Sequence, residues 1–152
     1  DLHHIRSADV DLNQSHSNYG YDNGGVVVLD KVAGGDTVET SAKVDKTGQS
    51  FEPPNRAKGQ VARMIFYMAV RYEVGDDGGY EKMPDLTLKD TNQKTKQPWL
   101  GDLCTLVQWH NEFPATDFES RRNDRVQKLQ GNRNPFIDRV EWVDSIWGGM
   151  CE

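Results

Sequence analysis

The 152-residue sequence lacks the marks of several large protein classes. It contains only two cysteines and no Cys/His spacing of the zinc-finger kind, so a structural zinc site is not indicated. No apolar run approaches the roughly 20 residues that a membrane-spanning helix needs, which excludes a membrane protein. A glycine-rich phosphate loop and a nucleophile-elbow motif are also missing. Because these common motifs are missing, none of them assigns a chemistry to the chain.

What remains is the composition of a globular protein with long polar segments. Hydrophobic residues make up 36% of the chain and charged residues 28%, and this length is enough to bury a sizeable core. We therefore predict a single domain over residues 1–152. Cys104 and Cys151 either pair or stay free, because the sequence does not show how close they lie. Asp1 is not an initiator methionine, so the missing signal sequence carries no weight.

Hydrophobic periodicity predicts an α+β fold in which a small β-sheet packs beside several helices. Strands are predicted at residues 2–5, 26–29, 38–44 and 86–88. Helices are predicted from a cap at Ser7 or Asp9 to about residues 13–18, and over residues 56–72, 103–110 and 116–129. Thr116 and Glu119 form a capping box for the last of these, Gly131 ends it, and Pro135 begins a final helix. Residues 75–101 are predicted to be mostly a long loop.

The predicted helix over residues 56–72 carries two kinds of side chain. Its apolar residues recur at helical spacing and predict a buried face. They are Val61, Met64, Ile65 and Met68. Its charged residues are all positive, namely Arg56, Lys58, Arg63 and Arg71. The sequence leaves two interpretations of these cations open, a solvated face or a second surface for nucleic acid.

Positive charge is concentrated near the C-terminus, although the formal net charge of the chain is -6. Basic residues outnumber acidic ones within residues 119–139. Local charge, rather than the total, decides whether a polyphosphate can dock. We therefore predict nucleic-acid contacts from the basic helix and its surroundings, namely from Arg121, Arg125, Lys128, Arg133 and Arg63.

Helical spacing sorts these arginines further. Arg121 and Arg125 are four residues apart and share a face, whereas Arg122 points elsewhere. Some arginines are expected to form internal ion pairs with the nearby acids Glu119, Asp124 or Asp138. The turn at residues 132–134 either presents amide and guanidinium donors to a substrate or simply links two helices.

Five segments of the chain carry distinctive multi-residue motifs. They are Asp1-Leu-His-His-Ile with the residues that follow to Asn18, Phe51-Glu-Pro-Pro with the residues that follow to Met68, Trp109-His-Asn-Glu-Phe-Pro, Arg121-Arg-Asn-Asp-Arg, and Gln130-Gly-Asn-Arg-Asn-Pro-Phe. In this order and at these spacings, the motifs resemble the bacterial endonuclease I family. The resemblance is spread over nearly the whole chain.

The resemblance implies an incomplete ββα-metal (His-Me finger) fold and a nuclease that cuts DNA, and often RNA, with little sequence preference. In this family a strand histidine acts as the general base for water. A neighbouring glutamate and a helix asparagine hold one Mg²⁺, and the products carry 5′-phosphates. Asn13 falls at the asparagine position, so it is predicted to be a metal ligand. We further expect a monomer that is secreted or periplasmic, as the family is.

The chain departs from the family pattern at its beginning. The family's Glu-His pair lies before the Asp-Leu-His motif, so the general base is expected upstream of Asp1. The interval between His4 and Asn13 leaves no room for the hairpin and strand that separate base from ligand, so neither His3 nor His4 is expected to be the base. We therefore expect these residues alone not to cleave DNA. The alternative is an inactive remnant that binds nucleic acid or a protein partner.

Overall fold

The computed structural model describes residues 1–72, 86–89 and 99–151, and this part of the chain contains one six-stranded sheet. The strands are β1 (Gly20–Tyr21), β2 (Val26–Lys31), β3 (Thr37–Asp45), β4 (Ser50–Glu52), β5 (Thr87–Lys89) and β6 (Trp99–Asp102). Their order across the sheet is β2-β3-β4-β1-β6-β5. β3 is antiparallel to β2 and β4, whereas β1 runs parallel to β4 and β6, and β5 runs parallel to β6.

Helices pack beside this sheet. Those in the described residues are α1 (Val10–His16), α2 (Asn55–Arg71), α3 (Leu103–Glu112), α4 (Asp117–Gln130), α5 (Pro135–Asp138) and α6 (Glu141–Trp147). The α+β prediction is confirmed, and so are the helices predicted around α1 to α4. The predicted final helix is divided into α5 and α6. Within the described ranges, no helix combines the length and the apolar character that crossing a membrane requires.

The helix ends follow the capping residues in the sequence. Asp9 caps α1, since its Oδ1 accepts hydrogen bonds from the amides of Asp11 and Leu12 at 2.8 and 3.3 Å. The predicted capping box of Thr116 and Glu119 is present at the start of α4. Gly131 ends α4 in the left-handed conformation with φ of 89°, which glycine adopts without steric strain.

The strand predicted at residues 2–5 is wrong, because Leu2–His4 forms a 3₁₀ turn. The side chain of Asp1 caps this turn and accepts from the amide of His3 at 2.9 Å. Arg122 Nη2 donates to the carbonyl oxygens of Leu2 and Ile5 at 2.5 and 2.6 Å. A guanidinium group from α4 thus satisfies backbone carbonyls that a strand would have bonded to its neighbour.

The other predicted strands are confirmed as β2, β3 and β5. Within β2, Val28 is buried, at 5% exposed. Val26 and Leu29 are exposed because β2 lies at the edge of the sheet. Most of the loop predicted over residues 75–101 lies outside the described residues.

The main hydrophobic core lies where α2 meets the C-terminal helices. Its fully buried members include Ala62, Phe66, Leu106, Trp109, Phe136 and Val143. A second cluster under the β2–β3–β4 sheet consists of Val28, Ala42, Val44 and Phe51. The predicted apolar face of α2 is confirmed, although Met64 is only half-buried. Beyond α5, Val140 and Ile146 are exposed and lie outside this core.

Two cations of α2 are buried in ion pairs. The guanidinium of Arg63, which is 1% exposed, donates from Nε and Nη2 to the two carboxylate oxygens of Glu119 at 2.8 and 2.9 Å. Its Nη1 donates to the carbonyl oxygen of Phe113 at 3.0 Å. Lys58 donates to Glu52 at 2.7 Å. The solvated-face interpretation is therefore wrong for Arg63 and Lys58, and this burial argues against the nucleic-acid contact predicted for Arg63.

The two cysteines form a disulfide. The Cα atoms of Cys104 and Cys151 lie 5.2 Å apart, and 47 residues of sequence separate them. The bond joins the first turn of α3 to the end of the described chain. The sequence left open whether the two cysteines pair or stay free, and the structure shows that they pair. The disulfide constrains a long loop of the unfolded chain.

Replacing Arg63 with methionine is expected to lower the free energy of unfolding by about 3–5 kcal/mol, because Glu119 would remain buried without its partner. The double variant Arg63→Met plus Glu119→Leu is expected to lose less, since no unpaired charge remains. Urea unfolding of the three proteins measures both values. A double variant that loses at least as much stability as the single variant would show that the unpaired carboxylate is not the cause.

Candidate metal and nucleic-acid site

Asn13 lies on the wall of a cleft with a volume of about 330 Å³. The cleft is bounded by α1, by β1 and β4 and by the beginning of α2. Asp9 and His16 of α1 share it with Asn13, and Arg6 and Arg56 reach it from the preceding segment and from α2. The structure therefore brings the predicted metal ligand into the same hollow as two arginines.

The side chain of Asn13 is exposed and forms no hydrogen bond with any residue that the structure describes. Its backbone is occupied by helix bonds, since its amide donates to Asp9 at 2.9 Å and its carbonyl accepts from Ser17 at 3.1 Å. Asp9 lies one helical turn earlier, on the same side of α1. Its Oδ1 is taken by the cap, while its side chain still lines the cleft. An amide oxygen is thus available to a cation at this wall.

The oxygen atoms at this wall fit part of a magnesium site. Mg²⁺ takes oxygen ligands and keeps several waters, with at least one carboxylate in most protein sites. Asn13 supplies a suitable amide oxygen. Over residues 1–72, 86–89 and 99–151, however, no group of three or more His, Cys, Asp or Glu side chains comes together to hold a metal. The ligand role of Asn13 therefore stays a prediction.

Aromatic rings form the floor of the cleft. The rings of His16 and Tyr21 stack with centroids 4.7 Å apart, and the His16 ring lies 4.9 Å from that of Phe51. Burial lowers the pKa of His16 and raises the pKa of Tyr21 to about 12. Both side chains are consequently neutral near pH 7, and the positive charge of the cleft comes from its arginines.

The outer face of α4 carries three of the predicted phosphate contacts. Arg121, Arg125 and Lys128 are exposed, whereas the opposite face buries Glu119 and Val126. Within the described chain no hydrogen bond or ion pair engages these three cations. They do not line the Asn13 cleft. They are free to meet phosphates, and that contact stays a prediction.

Arg133 is held in internal ion pairs, as was expected for some of the arginines. Its guanidinium donates to both carboxylate oxygens of Asp138 and to Asp124, each at 2.7 Å, and to Gln127 at 3.0 Å. The hydrogen bonds that Arg133 donates to these carboxylates raise its pKa, and its guanidinium lowers the pKa of Asp138. With its donors occupied in this way, Arg133 is poorly placed for the predicted nucleic-acid contact.

The turn at residues 132–134 has a structural role. The amide of Asn134 donates to Asn123 Oδ1 at 2.8 Å, and Asn123 Nδ2 donates back to the carbonyl of Asn134 at 3.0 Å. Asn134 Nδ2 also donates to the carbonyl of Arg63 at 2.9 Å. Asn134 is 1% exposed. The geometry supports the helix-linking interpretation of this turn over the substrate-contact one.

His3 fastens the N-terminal segment to this turn. Its Nε2 lies 3.1 Å from the carbonyl oxygen of Asn132, so the neutral ring carries its proton on Nε2. Its Nδ1 is buried without a partner in the described chain. The hydroxyl of Tyr67 donates to Asp1 at 2.7 Å and accepts from Asn132 Nδ2 at 2.6 Å. His3 is thus a buried, hydrogen-bonded residue of the fold, whereas His4 is exposed.

Sequence reasoning did not single out Arg6, His16 or Tyr21 as residues of the site. Arg6 directly follows the Asp1-Leu-His-His-Ile motif, and this position within a recognised segment was the available signal. His16 lies one turn after Asn13 on the same helix, a spacing that places both on one side. No local pattern marked Tyr21, which reaches the cleft only through the pairing of β1 with β4.

Comparison with known proteins gives the same family by independent matches. The family model described as Endonuclease I matches residues 1–141. The chain is 44% identical over 148 residues to an extracellular ribonuclease of Bacillus subtilis, covering 97% of this chain and 46% of that protein. It is 26% identical to Endonuclease-1 of Buchnera aphidicola, covering 90% of this chain and 45% of that protein. It is 30% identical to an extracellular deoxyribonuclease of Aeromonas hydrophila, covering 63% and 33%.

Acidification is expected to destabilise the fold, because burial lowers the pKa of His3, His16 and His110. A lowered folded pKa means that the unfolded chain binds more protons below about pH 6.5, so the free energy of unfolding falls as pH falls. Protonated His3 would also bury an N–H at Nδ1 without an acceptor.

Denaturant unfolding at a series of pH values between about 7.5 and about 5 measures this dependence. The variant His3→Gln should show a shallower loss of stability on acidification than the unmodified chain. Stability that stays constant or rises toward acid pH would contradict the assignment of buried neutral histidines.

Proposed function

Because the chain belongs to the endonuclease I family, we propose that it acts in a magnesium-dependent nuclease that hydrolyses phosphodiester bonds without strong sequence preference. The observation that carries the proposal is the free amide of Asn13, which faces a cleft with two arginines at the family's metal-ligand position. The chain spans about half the length of the relatives it matches most fully, 46% for the Bacillus protein. The proposal therefore concerns the protein that contains these residues.

The names of the relatives support both kinds of nucleic acid as substrates. One relative is named a ribonuclease and others are named deoxyribonucleases, and these names also include the words extracellular and periplasmic. We propose DNA and RNA as substrates, 5′-phosphate products, a monomeric protein, and a location outside the cytoplasm. Acting on both DNA and RNA requires no recognition of particular bases, and contacts to backbone phosphates alone are enough for it.

Each group of residues has a distinct part in this proposal. A magnesium ion would stabilise negative charge on the phosphate and on the leaving 3′ oxygen. Asn13 would supply one oxygen ligand to it. Arg121, Arg125 and Lys128 would bind backbone phosphates along the outer face of α4. The resemblance assigns the family's glutamate ligand and histidine base to no residue of this chain.

A second candidate is a module that binds nucleic acid without cleaving it. The described residues contain no cluster of three metal-binding side chains, while the basic face of α4 needs no metal. A plasmid-nicking assay separates the two candidates. It should use the encoded polypeptide, with any residues that precede Asp1, in Mg²⁺ and then in EDTA. We expect cutting that EDTA abolishes, whereas binding without cutting in Mg²⁺ would favour the second candidate.

Replacing Asn13 with alanine in that polypeptide is expected to lower Mg²⁺-dependent cleavage at least about 10- to 100-fold, the loss typical even of groups that only orient metal ligands. Asn13→Asp keeps an oxygen ligand and should retain more activity. Gln14→Ala is the matched control, because Gln14 is the exposed neighbour on α1 and does not line the cleft. Unchanged cleavage by Asn13→Ala across a Mg²⁺ titration would remove the ligand assignment.

Replacing both Arg121 and Arg125 with alanine is expected to weaken binding to duplex DNA and to flatten its salt dependence. Each lost phosphate contact should reduce the slope of log K against log salt by about 0.9, so the pair should reduce it by about 1.8. Fluorescence anisotropy in EDTA measures the slope. Lys31→Ala plus Lys46→Ala removes the same charge from exposed residues elsewhere. Equal slopes for the two double variants would show that α4 has no special role.

A further inference from the structure

Arg6 and Arg56 reach the Asn13 cleft from two different elements of the chain. Arg6 lies in the segment between the 3₁₀ turn and α1, and Arg56 lies in the first turn of α2. Both line the cleft that Asn13 lines. Arg6 Nη1 donates to the side chain of Gln60, which fixes the direction of that guanidinium. Arg56 makes no hydrogen bond or ion pair with the described residues, so its donors are available.

Neither guanidinium group forms an ion pair with a carboxylate in the part of the chain that the structure describes. Partial desolvation lowers the pKa of Arg6 although the residue is exposed overall, and the nearby charge of Arg56 lowers it further. Of the acids near them, Glu119 is bonded through both oxygens to Arg63, while Asp9 lines the same cleft and caps α1 with its Oδ1. Two like charges that face one hollow repel each other, and an anion placed between them would relieve this repulsion.

The rest of the cleft suits one nucleotide of a single strand. Apolar side chains of Leu12, Phe51 and Pro53 lie beside the arginines and could cover a sugar or a base edge. A volume of about 330 Å³ falls at the lower end of the range found for small-ligand sites. It is too small for a duplex, which has to remain outside. The paired cations and the apolar wall therefore match a phosphodiester with its attached sugar.

We propose that Arg6 and Arg56 bind one backbone phosphate of a nucleic-acid strand in the cleft beside Asn13. The identity of this ligand rests on the proposed nuclease function, but the binding itself needs neither Mg²⁺ nor cleavage. The pair would hold the strand next to the metal position, while α4 holds the rest of the nucleic acid from outside. Arg6 and Arg56 would thus position the substrate, and Gln60 would orient Arg6.

The test is the binding of a fluorescein-labelled ten-nucleotide single-stranded DNA to this chain in EDTA, over a range of salt concentrations. For Arg6→Gln plus Arg56→Gln the slope of log K against log salt should fall by about 0.7, since the pair binds one phosphate and a single-strand phosphate contact contributes about 0.7. At 0.1 M salt this corresponds to about 5-fold weaker binding, if affinity at 1 M is unchanged. Arg56→Gln alone should weaken binding by a smaller factor, since Arg6 would still contact the phosphate, and it should fold normally, because Arg56 is exposed.

Lys31→Gln plus Lys46→Gln is the control of equal charge, since these exposed lysines line a different hollow on the other side of α1. Slopes that fall equally in the control and in the arginine variants would overturn the proposal, and so would a chain that does not bind the strand. Thermal melting of each variant checks the fold. A polypeptide that binds as expected but never cuts would refute the nuclease function alone. One that cuts with unchanged salt dependence after both arginine substitutions would refute the arginine pair alone.

Discussion

The attachment of the N-terminal segment to α2 and α4 determines where the cleft residues lie. Arg122 binds two carbonyls of this segment, and His3 binds the turn after α4. The segment then leads directly through Arg6 into α1. Because these bonds reach across more than 100 residues of sequence, the position of Asn13 depends on the folding of the C-terminal helices. The metal-ligand position and the basic helix are therefore parts of one structure.

The distribution of charge divides the basic residues into two groups. Arg63, Lys58 and Arg133 satisfy carboxylates within the protein. Arg6, Arg56 and the cations on the outer face of α4 are not paired with carboxylates in the described chain. Arg63 links α2 to α4, Arg133 links the turn after α4 to α4 and α5, and Lys58 links α2 to β4. The second group gives a protein of net negative charge two positive surfaces, one inside the cleft and one outside it.

Local sequence predicted the features that depend on neighbouring residues. Helix α4 with its capping box and Gly131 stop, the apolar face of α2, and strands β2 and β3 were all predicted because their signals lie within a few residues. The short strands β1, β4 and β6 were missed, since two to four residues carry little pattern of their own. The strand at residues 2–5 was predicted wrongly, because Arg122, distant in sequence, satisfies its carbonyls.

The site was predictable only where a motif marked it. Asn13 was singled out through the family resemblance, and the structure puts it on the wall of a cleft, while its ligand role stays a prediction. The burial of Arg63 could not be predicted, because its partner Glu119 is 56 residues away and had a visible local role as a capping residue. Arg6 was overlooked for a similar reason, since only the folded chain brings it near Arg56.

The most direct test of the account is NMR of the side-chain amides in the encoded polypeptide during titration with Mn²⁺, a paramagnetic substitute for Mg²⁺. The account predicts that the Asn13 side-chain NH₂ signals broaden first, together with the backbone signals of the other residues that line its cleft. The signals of Gln127 and Asn111, which lie on helices that do not line the cleft, should persist. Sharp Asn13 signals at Mn²⁺ concentrations that saturate the protein would contradict the account.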